Sequence, residues 1–333
     1  MKLNTKKLKA AAGEALSHPQ CDPTRLVLVH AGVMALAGLL LTVVNYLIQM
    51  RIDGTGGLGG ISERSILTTL QSMLQLGQFA LLPFWQAGYL AVAIALFRGK
   101  SADGNTLLSG FNRFGPLLRL YLLQLLIFGG IMIVSNYISS NIYMMTPWGI
   151  KLMQMTLDAM EQTGSTQLDD AALEAMLSYS LPMMILSAVI FLIAAAPTFY
   201  RLRMSQYIIM DSQDNSALRA MGLSGHLMRG NRFSLFKLDL SFWWYYLLCV
   251  LIGIIAYADV VLGLLDISLP WSSAALFFVP YLLYLVLQMG FCLWQQNRVS
   301  VTYAAFYETL IQPHQPEEPS QPTPKNLPWD DRM

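Results

Sequence analysis

Six long blocks of almost uninterrupted apolar residues constrain the fold of this chain more than any other feature. They cover residues 26–48, 79–97, 116–138, 180–200, 240–262 and 272–294. About 20 apolar residues in helical geometry cross the hydrocarbon core of a bilayer. Lipid offers backbone N–H and C=O groups no partner, so each block must be a helix. Composition points the same way. Only 12% of the 333 residues are charged and 55% are hydrophobic, whereas soluble domains carry about 25% charged residues. The expected fold is an all-α polytopic transmembrane helix bundle of six spans, with interfacial amphipathic helices and a disordered Pro-rich C-terminal tail.

Three regions follow: a cytoplasmic amphipathic N-terminal segment (1–25), a six-span membrane domain (26–311) and the tail (312–333). The N-terminal lysines ahead of an apolar run resemble a secretory signal. That run is too long for a signal core and no small-residue cleavage site follows, so it is read as a retained first span.

Orientation follows from the sorting of Lys and Arg. The N-terminal segment holds Lys2, Lys6, Lys7, Lys9 and Arg25. The second connection holds Arg98, Lys100, Arg113 and Arg119, and the fourth holds Arg201, Arg203, Arg219, Arg229, Arg232 and Lys237. Arg298, Lys325 and Arg332 follow the last span. These 18 residues share one side; only Arg51, Arg64 and Lys151 fall on the other. Both termini are therefore expected in the cytoplasm. Net charge is +1, so no global field points to nucleic acid.

The connections differ in character. The first, from Met50, opens Gly-rich and continues as a helix into span two. The third, 139–179, is acidic and predicts two short amphipathic helices broken near 163–165. The fourth predicts a continuation of span four through Arg201 to Ile209, a new helix capped by Asp214 or Asn215, and a stop at Gly230-Asn231. In the tail, Pro313, Pro316, Pro319 and Pro322 recur every third residue, which favours solvated polyproline II over a core.

No residue set points to catalysis, a cofactor or a metal. Gly54-Thr55-Gly56-Gly57-Leu58-Gly59 fits G-x-G-x-x-G, but it follows a membrane span where a dinucleotide site needs strand, turn and helix. Cys21, Cys249 and Cys292 form no C-x-x-C pair, and His18, His30, His226 and His314 are scattered. Asp239, Asp259, Asp266, His30 and Asn45 sit near span ends and read as interfacial groups with access to water. Ala87, Ala91 and Ala95 beside Gly88 present a small-residue face for close helix packing within the chain; a homo-oligomer contact stays open. Trp243, Trp244, Tyr245, Tyr246, Trp271 and Trp294 form an aromatic belt that anchors depth.

Several stretches resemble a known family. One is Gly88-Tyr89-Leu90 through Arg98-Gly99-Lys100, then Leu108-Ser109-Gly110-Phe111-Asn112-Arg113-Phe114. Another is Tyr207-Ile208-Ile209-Met210-Asp211, then His226-Leu227-Met228-Arg229-Gly230-Asn231-Arg232 and Leu235-Phe236-Lys237-Leu238-Asp239-Leu240-Ser241-Phe242. Pro280-Tyr281 and Tyr303-Ala304-Ala305-Phe306-Tyr307 complete the set. The pattern resembles the domain-of-unknown-function 975 family of bacterial integral membrane proteins. The resemblance departs from the family in a longer link between the last two spans, 258–272, and an expanded third connection. It implies a multi-span protein of the bacterial cytoplasmic membrane and no particular activity.

The candidate site is the motif Arg229, Gly230, Asn231, Arg232 and Lys237. It predicts a joint at which the chain re-enters the membrane, with cations placed to hold anionic headgroups. The expected role is that of a non-enzymatic scaffold or accessory of cell-envelope processes. The alternative is a transporter or lipid-handling protein with a cavity between helices. The expected partners are the lipid bilayer and anionic headgroups on the cytoplasmic face.

Overall fold

The computed structural model describes residues 4–17, 20–54, 60–163, 170–212, 216–258, 262 and 273–312. Among them every regular element is helical. The apolar blocks become long helices: α2 (Pro23–Gly54), α3 (Gly60–Phe97), α5 (Phe114–Met144), α7 (Asp170–Leu202) and α12 (Ser273–Phe291). Shorter helices fill the connections: α1 (Thr5–Ser17), α4 (Gly104–Asn112), α6 (Pro147–Thr163), α8 (Ser205–Asp211), α9 (Ala217–Leu227), α10 (Arg232–Leu240), α11 (Trp243–Ala256) and α13 (Asn297–Ile311). A one-turn π-helix, Cys292–Gln296, joins α12 to α13.

Among the described residues, five helical stretches are long and apolar enough to cross a membrane, and a sixth is counted if α10 and α11 act as one broken span. The expected span 240–262 opens on a break in the helix. Its start divides between two helices that meet at 57°. The break is local chemistry. Phe242 leaves the helical conformation with φ −111 and ψ 18, and the Ser241 hydroxyl donates to the Leu238 carbonyl at 2.6 Å. Helix ends leave carbonyls without intrahelical partners, and the Lys9 ammonium, from the far end of the sequence, donates to the Ser241 carbonyl at 2.9 Å.

Other boundaries shift too. The second amphipathic helix expected in the third connection is the first part of α7 instead, continuous with the span, while α6 takes the place of the first. Helix α7 ends at Leu202 and α8 begins after a two-residue turn, so the expected continuation of span four toward Ile209 is present with a short interruption. The next helix, α9, is capped by Ser216, whose hydroxyl accepts from the Arg219 N–H. Asp214 and Asn215 lie outside the described residues, as do most of the Gly-rich stretch after Gly54, the tail beyond Gln312, and Asp259, Asp266 and Trp271.

The buried core lies at one end of the bundle. It joins α1, the starts of α2 and α5, the end of α3, α4, α8, α9, α10 and α13. These are the N-terminal segment, the second and fourth connections and the chain after the last span. We call this assembly the cap. Its axis is α13, buried from Val301 through Glu308 with no solvent face, the signature of a core helix rather than a surface one. Spanning helices expose large apolar side chains along their length, Leu126, Ile133 and Ile193 among them, as a lipid-facing surface requires. Among them α3 is the most enclosed.

Close backbone contact locks α3 to α4. A Cβ on Gly88 would lie 1.8 Å from the Leu107 carbonyl oxygen, and one on Gly110 would lie 2.0 Å from that of Phe84. The small-residue face of span two therefore packs inside the chain. Farther along the bundle α5 and α7 share a polar contact, Ser187 Oγ donating to Asn136 Oδ1 at 2.5 Å. Such interhelical bonds give direction to packing where burial from water is absent.

Candidate functional site in the cap

Two ionic centres hold the cap together. The first forms around Arg98, just past the end of α3. Its guanidinium donates to Glu308 on α13 at 2.6 Å and to Asp211 at the end of α8. Tyr307 donates to the second oxygen of Asp211 at 3.2 Å. One planar fork thus ties three distant segments, as guanidinium geometry permits. The hydrogen bond to Asp211 leads the influences that raise the Arg98 pKa above its ordinary value, so the charge is fixed at all working pH. Beside it, Arg113 donates to the Ile209 and Ser212 carbonyls, satisfying the C-terminal end of α8 with a cation.

The second centre forms around Asp239 on α10. It accepts from Arg203, from Tyr200 at 3.0 Å and from Tyr303 at 2.5 Å. Tyr303 in turn shares a hydrogen bond with Tyr246 at 2.7 Å. The Arg203 guanidinium lies over the Tyr303 ring, 4.5 Å from its centroid, a cation–π placement. The side chains of Arg203 and Asp239 are only 20% and 15% exposed. Asp239 is therefore no interfacial carboxylate open to water but the hub of a nearly buried network. A buried charge needs such partners to be tolerated.

His30 also departs from expectation. It is 5% exposed and lies against the rings of Trp85 and Tyr89, with centroids at 5.5 and 4.5 Å. Tyr89 donates to Asn297 at 2.6 Å, and Asn297 donates to the Pro23 carbonyl at 3.1 Å. This links the starts of α2 and α13 through α3. Among the described residues no three His, Cys, Asp or Glu side chains gather in metal-binding geometry.

The expected motif after α9 is shaped differently from these centres. Gly230 has φ +87, in the left-handed region that glycine enters freely, and Asn231 donates to the Leu227 carbonyl at 3.1 Å. Arg229, Arg232 and Lys237 are exposed, and Lys237 lies over the Phe233 ring at 4.6 Å. No described carboxylate pairs with any of the three. Gly230 and Asn231 thus make a turn, and Arg229 and Arg232 have no carboxylate partner among the described residues.

A cavity of about 640 Å³ opens where α1 crosses the α10–α11 break. Lys9 and Arg298 line it, with Trp244, Leu248, Phe291 and Trp294. Sequence reading did not find it, nor the two ionic centres, because each joins segments far apart in sequence. The one available signal was the position of Asp211 and Asp239 beside apolar runs in a chain poor in charge.

The family model described as "Protein of unknown function (DUF975)" matches residues 29–313, which runs from within α2 through α13 and leaves α1 and the first residues of α2 outside. No curated protein and no solved structure matches the chain.

Proposed function

Since the chain belongs to the DUF975 family of proteins of unknown function, we propose that it is a non-enzymatic scaffold or accessory of cell-envelope processes, embedded by six spans in the bacterial cytoplasmic membrane. Both termini and the cap face the cytoplasm. The observation that carries this reading is the cap itself. One continuous core joins the connections that the charge count assigns to a single side. In this reading α10–α11 is the fifth pass. Its membrane part, α11, has 14 residues, or about 21 Å of helix, shorter than the roughly 30 Å hydrocarbon core, so the crossing draws on neighbouring residues as well. The rigid cap leaves apolar side chains exposed, including Leu218 at 70% and Phe233 at 64%. Such a surface suits a partner protein or the headgroup layer. Arg229, Arg232 and Lys237 add positive charge beside it, and anionic headgroups are the natural counter-charge.

The test is extraction of the chain with its surrounding bilayer at native expression, followed by mass determination of the intact particles. The scaffold reading expects another protein in fixed ratio, lost on Phe233→Asp. Particles holding this chain and lipid alone contradict it. For the joint, the R229Q/R232Q variant is compared with the native chain for recovery of anionic over zwitterionic lipid. Equal enrichment in both removes the headgroup role of these arginines.

A second reading, a lipid-handling protein, draws on the cavity at the α10–α11 break. That cavity lies beside the cap rather than midway along the long helices; in the proposed topology this favours a lipid at the membrane surface over a solute pathway.

A further inference from the structure

We infer that the cavity between α1, the α10–α11 break and the π-helix is a binding site for one anionic phospholipid, its phosphate held between Lys9 and Arg298 and its chains lying along Leu248 and Phe291. This site is separate from the exposed arginines after α9 and does not depend on the scaffold reading.

Four observations converge on it. The volume, about 640 Å³, lies within the range of built ligand pockets, about 300–1,000 Å³. Its lining includes two cationic side chains and no carboxylate, and no described carboxylate forms an ion pair with either cation. Lys9 is held in place: its ammonium donates to the Ser241 carbonyl at 2.9 Å and lies 4.0 Å from the centre of the Phe242 ring. An ammonium carries three donors, so with one on the carbonyl and one facing the ring, one stays for an anion. The apolar part of the wall fits lipid rather than a soluble phosphate. Trp244 and Trp294 are 60% and 62% exposed, and such rings settle at headgroup depth. Phe291 and Leu248 continue the wall along the membrane helices.

The local backbone explains why the cavity exists. The 57° bend between α10 and α11 turns one wall away from the other. The π-helix at Cys292–Gln296 inserts extra width in the facing wall just before Arg298, and such bulges are frequent at functional sites. The third wall is α1, which docks through buried Leu8 and Ala12 and so fixes Lys9 over the opening. Partial burial lowers the Lys9 pKa from its ordinary value; a bound anion would restore what the ammonium loses in hydration.

The experiment uses the purified full-length chain in detergent, read by native mass spectrometry with added phosphatidylglycerol, phosphatidylcholine or inorganic phosphate. The native chain is expected to retain one phosphatidylglycerol at least tenfold more strongly than phosphatidylcholine. The K9Q/R298Q variant should lose that preference, while R229Q/R232Q keeps it. Gly13 lines the cavity with open space around its Cβ position. Gly13→Leu therefore narrows the cavity without touching charge, and should weaken lipid retention even where K9Q/R298Q fails to fold. Equal retention of the two lipids, or a preference untouched in both cavity variants, overturns the proposal. Binding of inorganic phosphate that displaces phosphatidylglycerol at equal concentration overturns the lipid assignment in favour of a soluble phosphate.

Discussion

Replacing Gly88 with alanine should separate two helices that now touch backbone to backbone. The added Cβ would fall 1.8 Å from the Leu107 carbonyl oxygen, where about 3.0 Å is the least that real side chains show. The obstacle is main chain, so no rotamer change relieves it, and α4 must move more than 1 Å away from α3. Overpacking of this kind costs about 1–3 kcal/mol, and rigid neighbours place it near the top of that range. Alanine returns up to about 1 kcal/mol as the better helix former. The net loss is about 2 kcal/mol, or a drop of roughly 4–8 °C in melting midpoint. Gly110→Ala should behave alike, since its Cβ would meet Phe84 O at 2.0 Å and Gly88 N at 2.9 Å. The two losses should add to less than their sum, because either one already parts the helices. Gly129→Ala is the control; nothing lies within 4 Å of its Cβ position. Thermal denaturation in one detergent, read by loss of the monodisperse elution peak, is the assay. A Gly88→Ala midpoint within 1 °C of the native chain would refute the packing of α3 on α4.

Asp239→Asn should destabilise by about 3–5 kcal/mol, since it leaves the guanidinium of Arg203 nearly buried and without its counter-charge; thermal denaturation of the variant checks this. Arg51→Ala should change stability by less than about 0.5 kcal/mol in the same assay, because the Arg51–Glu63 pair is 70% and 44% exposed. Gly230→Ala should cost about 1–2 kcal/mol from the left-handed conformation alone, and a loss below about 0.3 kcal/mol would show that the turn rearranges.

The long helices were legible because hydrocarbon thickness and backbone satisfaction leave an apolar block of 20 residues few alternatives. α3 and α5 extend the expected blocks at their ends and keep their place and order. The break at Ser241–Phe242 was not legible. The apolar run continues through it, and the carbonyl it frees is satisfied by Lys9, more than 200 positions away. Asp239 was misread for a related reason. A carboxylate at the edge of an apolar block looks solvated until Arg203, Tyr200 and Tyr303 are brought to it. Ser216 displaced the expected caps of α9 because small polar residues compete for the same role at neighbouring positions. The motif Arg229–Arg232 drew attention by its cations, yet the cavity that gathers cations with apolar walls uses Lys9 and Arg298, one from each end of the chain.

The central claim is that the connections forming the cap all lie on one side of a membrane crossed six times. Single cysteines in a background lacking Cys21, Cys249 and Cys292, probed from each side with an impermeant maleimide, test it most directly. Ser101 and Ser216 are exposed within the cap and Met145 is exposed at the opposite end of α5. The account predicts labelling at positions 101 and 216 only from the cytoplasmic side, and at 145 only from outside. Labelling of 101 and 216 from opposite sides, or of 145 from the same side as both, would contradict it.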